Sequence, residues 1–90
     1  IQRDAKIAAH NANVRIITNA ANMYIMMNGE APDEVDDLVP DFLQEPVPTP
    51  PKGLDYGDVD SYTLDVTAPG EEDNKGSTWQ VVVKPGIISE

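Results

Sequence analysis

The first 28 residues, IQRDAKIAAHNANVRIITNAANMYIMMN, contain neither glycine nor proline and carry six alanines. Nothing in that run interrupts an α-helix. At about 1.5 Å per residue it predicts a rod roughly 40 Å long, outsized for so short a chain. Two apolar stripes run along it. One passes through Ile7, Val14, Ile17, Ala21 and Tyr24 to Asn28, the other through Ala5, Ala8, Ala12, Ile16, Ala20, Met23 and Met27. Together they are wider than the single stripe that one core ordinarily needs. Five asparagines, at positions 11, 13, 19, 22 and 28, are mediocre helix formers and imply polar contacts flanking a buried face.

Asn28-Gly29 reads as the helix stop, with glycine suited to the left-handed position after the last turn, and Pro32 prevents continuation. Asp33 is then placed to cap a second, short helix whose first turn holds Glu34, Asp36 and Asp37. Val35, Leu38, Val39, Phe42 and Leu43 follow helical spacing, so one face of this hinge is apolar and should tether it to the core. Pro40 should break the helix near Val39. The segment QEPVPTPPKG, residues 44–53, holds four of the eight prolines and reads as a stiff, extended crossover.

Beyond it, SYTLDVT (61–67) and TWQVVVK (78–84) alternate as half-buried strands. Tyr62, Leu64 and Val66 share one face of the first; Trp79, Val81 and Val83 share one face of the second. The polar stretch between them makes a long-looped antiparallel hairpin, and a short third strand near residues 54–56 would reinforce it. The expected architecture is therefore a single α+β domain. A long helix (1–28), a short helix with a Pro-rich connector (29–53) and a small antiparallel sheet (54–90) follow in order, with the sheet packed on the C-terminal half of the long helix.

Charge divides along the same lines. Residues 1–28 carry three basic groups against one acid, and residues 29–90 carry three lysines against fifteen acids. A formal net charge of −10 argues against nucleic acid as a partner. The absence of cysteine removes disulfides and thiolate metal sites, and the single histidine removes most imidazole-based ones. His10 reads as a surface or groove residue rather than a catalytic one. The three serines lie in no nucleophile elbow, and no glycine loop is built to cradle phosphate. These features argue against an enzyme. Asp55, Asp58 and Asp60 are the candidate oxygen ligands for calcium, although their spacing does not fit an EF-hand loop. An acidic connector in solvent is the plainer reading, and Glu71 to Asn74 read as a flexible surface loop with a weaker claim on an ion. An alternative function follows: a calcium- or cation-dependent binding or adhesion module using the acidic head. No apolar run is long enough to span a bilayer, and the non-Met start suggests a processed or truncated product.

One resemblance organises these signals. Tyr24, Gly29, Pro32, Asp37-Leu38-Val39-Pro40, Phe42-Leu43, Pro48, Pro51, Gly53 and Tyr56 stand in an order that resembles type IV pilins and the pseudopilins of type II secretion, just after their long N-terminal helix. The likeness covers roughly residues 15–67, and it points to the cysteine-free members. It implies a pilin-like fold, a processed and methylated N-terminal membrane helix upstream of Ile1, and anchoring in the inner or cytoplasmic membrane before assembly. It also implies polymerisation with other pilin-like subunits by a membrane assembly machinery, into a surface fimbrium or periplasm-spanning filament. Helices would fill the filament core and acidic heads would face outward. Ile7, Val14 and Ile17 are then the expected subunit-interface residues. Major pseudopilins carry a calcium site in a late loop, which keeps calcium as an option here.

Overall fold

In the computed structural model the described residues are 2–54, 56–57, 59–71, 74, 76 and 78–88, with side chains from residue 4 onward. Helix α1 spans Gln2–Asn28, 27 residues in one unbroken run, and sets the 41 Å long axis of the molecule. It ends as its sequence requires. Gly29 adopts φ +72° and its N–H donates to the Ile25 carbonyl at 2.8 Å, while the Asn28 side chain donates to the Tyr24 carbonyl at 3.1 Å.

The hinge that follows contains a single 3₁₀ turn, Val35–Leu38. Its start differs from the expectation. Glu34, not Asp33, occupies the cap position. Asp37 reaches back instead, its carboxylate accepting the backbone N–H groups of Asp33 at 2.9 Å and Glu34 at 3.2 Å. A carboxylate at the third helical position thus satisfies the donors that an N-cap side chain would otherwise leave to others. After Val39 the chain makes one more turn, with the N–H groups of Phe42 and Leu43 both bonded to the Leu38 carbonyl at 2.9 Å.

Two strands complete the fold: β1, Thr63–Thr67, and β2, Gln80–Lys84. They pair antiparallel, with Leu64 opposite Val83 and Val66 opposite Val81 on the core side, and Asp65 opposite Val82 on the solvent side. The alternation therefore sorts the two faces as the residue pattern requires. Among the described residues the anticipated third strand near 54–56 does not form. Leu54 and Tyr56 lie in a turn closed by the Gly57 N–H on the Leu54 carbonyl, and Asp55 lies outside the described residues.

The core is where these pieces meet. Val14, Ile17, Ala20 and Ala21 from α1 pack with Val35, Leu38 and Leu43 from the hinge and with Tyr62 and Val83 from the sheet. Tyr24 and Phe42 add an edge-on ring contact at 5.8 Å, a geometry aromatic pairs favour. Ile7, Ile25 and Leu54 are buried outside this cluster. The hinge residues tether the turn to α1 as their spacing requires. In the hairpin loop, expected to be a flexible surface loop, Glu72, Asp73, Lys75 and Ser77 lie outside the described residues. Asn74 is buried and donates to the Thr67 carbonyl at 3.2 Å and the Thr78 carbonyl at 2.8 Å, while its carbonyl oxygen accepts the Gly76 N–H at 3.1 Å. One amide side chain thereby serves three backbone groups and closes the loop.

Candidate functional site

The two stripes of α1 have opposite fates. Ile7, Val14 and Ile17, expected to meet neighbouring subunits, are buried inside the chain itself, Ile17 completely. That expectation is corrected: the sheet and the hinge both lie on this face, so these side chains offer no surface to another molecule. The second stripe is largely uncovered. Ala5, Ala8 and Ala12 are exposed, as are Ile16 (48%), Met23 (46%) and Met27 (75%); Met26 beside them stands 82% exposed. Only Ala20 of that stripe turns into the core. Small residues in the first half let a partner backbone approach closely, and unbranched methionines in the second adapt to irregular surfaces. No charged residue occurs in α1 after Arg15, so the lower half of this face is uncharged.

Beside the apolar core, α1 carries a polar clasp. His10 is 0% exposed. Its Nε2 lies 2.6 Å from the Gly86 carbonyl, and because a carbonyl only accepts, Nε2 carries the proton and donates. In the neutral ring Nδ1 then accepts from the Tyr62 hydroxyl at 2.9 Å. Tyr62 in turn accepts from the Asn13 amide at 3.3 Å. Tyr56 and Tyr62 flank the imidazole with ring centroids 5.0 and 5.6 Å away. The next residue, Asn11, pairs with Ile88 in both directions, donating to its carbonyl and accepting its N–H, each at 2.9 Å. The clasp ties the segment after β2 to the N-terminal half of the helix. Of the two placements expected, surface or groove, the surface one does not hold: His10 is buried between α1 and the segment after β2. Its partners lie 52 and 76 residues away in the chain, a separation no local pattern reveals. Burial, and the nearness of Tyr56, raise the Tyr62 hydroxyl above the ordinary range, partly offset by the Asn13 hydrogen bond. Burial raises Tyr56 in the same direction, and its hydroxyl donates to the Pro51 carbonyl.

Of the three candidate calcium ligands, Asp55 and Asp58 lie outside the described residues. Asp60 is 92% exposed at its side chain and pairs with Lys52 at 2.5 Å. That hydrogen bond and the lysine charge hold its carboxyl below the usual carboxylate range. Among the described residues, no three histidine, cysteine, aspartate or glutamate side chains come together as a metal cluster. In the hairpin loop the Glu71 carboxylate accepts the Ala68 N–H at 2.8 Å, and the Asn74 oxygen is taken by Gly76. Among the described residues no helix is long and apolar enough to cross a membrane. No family model, curated protein or solved structure matches the chain.

Proposed function

We propose that this chain is a structural subunit, a pilin-like or pseudopilin-like domain, which polymerises into a filament through its long helix. The observation that carries the reading is the uncovered stripe Ala5, Ala8, Ala12, Ile16, Met23 and Met27, on a helix whose other apolar stripe already serves its own core. A helix that is apolar on two sides has a second partner to find, and here that partner is another copy of the same chain. The order of residues from Tyr24 to Tyr56, and a helix as long as the whole molecule, support the pilin-like assignment. The mildly basic helix and the strongly acidic remainder also suit a head-to-tail arrangement, in which unlike surfaces of successive copies meet.

In this reading the filament stands at the cell surface or spans the periplasm, with each subunit held in the membrane by an upstream helix until it is assembled. The interface differs from the one expected from sequence: the second stripe makes the contacts and the first holds the subunit together. The chain has no cysteine of its own, so introduced ones report cleanly. With the complete gene expressed in its own cells, Ala12→Cys combined with Met23→Cys should yield a ladder of multimers with a short bismaleimide. The same reagent should leave an Asp41→Cys control monomeric. Monomer only from the double variant would overturn the proposal.

A further inference from the structure

A different surface carries an independent inference, one that does not rest on the assembly reading. The sheet has two strands, so among the described residues β1 has a strand partner on one edge only. Beside the start of β1 lies a groove of about 440 Å³, within the size range of clefts that hold ligands. The first two residues of β1, Thr63 and Leu64, line it together with Ser61 and Tyr62 just before the strand, and none from β2 does. Thr63 and Leu64 point to opposite faces of the strand, so the groove meets the start of β1 at its edge rather than on one of its faces. Val47, Pro48 and Thr49 form part of its lining without any backbone hydrogen bond to β1. Among the described residues, no backbone–backbone hydrogen bond other than those to β2 involves β1.

The groove also has a chemical character. Val35, Val47 and Leu64 give it an apolar floor, and the exposed acids Asp33, Glu34 and Asp36 stand along its rim. Asp65 projects from the solvent face of β1 itself. An added strand would point alternate side chains to the floor and to solvent, so apolar and basic residues in alternation would satisfy both.

We propose that the free edge of β1 and its groove form a docking site for an extended segment of a partner protein, alternating apolar and basic residues, which joins the sheet as a third strand. Main-chain hydrogen bonds to β1 hold the segment, and the acidic rim selects it and speeds encounter. The test is titration of the protein with a synthetic peptide of alternating lysine and valine, matched in length to β1, followed by amide NMR. The expected result is shifts concentrated at residues 61–67, with affinity lowered about tenfold or more by Asp33→Lys combined with Asp36→Lys. Asp41→Lys, an exposed acid away from the groove, should leave affinity nearly unchanged. Three results would overturn the proposal. These are equally tight binding by the same lysines and valines arranged in two blocks, affinity retained by the double reversal, and shifts that map to α1 instead.

Discussion

Replacing His10 with leucine probes the clasp that joins the two ends of the chain. The side chain is fully buried, and both ring nitrogens are engaged. Leucine is of similar bulk, so the packing loss is small and the polar loss dominates. The Tyr62 hydroxyl would keep the Asn13 donor but have no acceptor for its own proton. A buried group left in that state costs about 1–3 kcal/mol. The Gly86 carbonyl contributes less, because Gly86 is exposed and water can replace the imidazole. A net loss of about 2 kcal/mol follows, which lowers the melting temperature of a domain this size by about 8–16 °C. Against a total stability of roughly 5–13 kcal/mol for such a chain the effect is large. Thermal melts by circular dichroism would measure it. A double-mutant cycle with Tyr62→Phe should show coupling of about 1 kcal/mol, because either change removes the same hydrogen bond. If His10→Leu melts with the wild type, or the two changes are strictly additive, the clasp does not hold the fold as described.

Two further outcomes concern other parts of the fold. Asn74→Ala should lower the urea midpoint by an amount equivalent to about 1–3 kcal/mol with an unchanged slope, since three backbone groups lose their partner. Asn74→Asp should cost at least as much, because a carboxylate placed against the Thr67 and Thr78 carbonyls cannot donate; an Asp variant as stable as wild type would contradict this. The raised Tyr62 hydroxyl predicts alkaline sensitivity. Below its ordinary value of 10.0 it is protonated whether folded or not, and stability is unaffected. Above that value the unfolded chain releases the proton first, so stability falls as pH rises through the folded value. Tyr62→Phe should flatten that fall in urea titrations above the ordinary value and remove one late phase of tyrosinate absorbance. An unchanged alkaline slope would count against the burial of Tyr62.

Much of the scaffold was legible because its signals are local. A run without glycine or proline gave α1 its length, Asn28-Gly29 its end, and alternation sorted Leu64, Val66, Val81 and Val83 onto one face. The hinge was legible too, since Val35, Leu38, Val39, Phe42 and Leu43 keep helical spacing through a turn that is only briefly 3₁₀. Three things were hidden. Asp37 took over the capping that Asp33 was positioned for, a choice between near neighbours that sequence ranks poorly. His10 and Asn74 are buried polar groups whose partners are mostly main-chain atoms, and main-chain acceptors leave no signature in side-chain patterns. The third was which of two apolar stripes faces inward. Both have helical spacing, and only the arrival of the sheet, the hinge and the tail on one side decided that Ile17 is core while Ile16, next to it, is surface.

That adjacent pair offers the most direct test of assembly through the exposed stripe of α1. Ile16→Asp should leave the thermal melt of the isolated chain within about 0.5 kcal/mol of wild type, as an exposed substitution does. It should also sharply reduce filament yield when the complete gene is expressed in its own cells. Ile17→Asp should instead unfold the domain, because it buries an unpaired charge. Normal filament yield from a folded Ile16→Asp protein would contradict the claim that the exposed stripe of the helix is the assembly face.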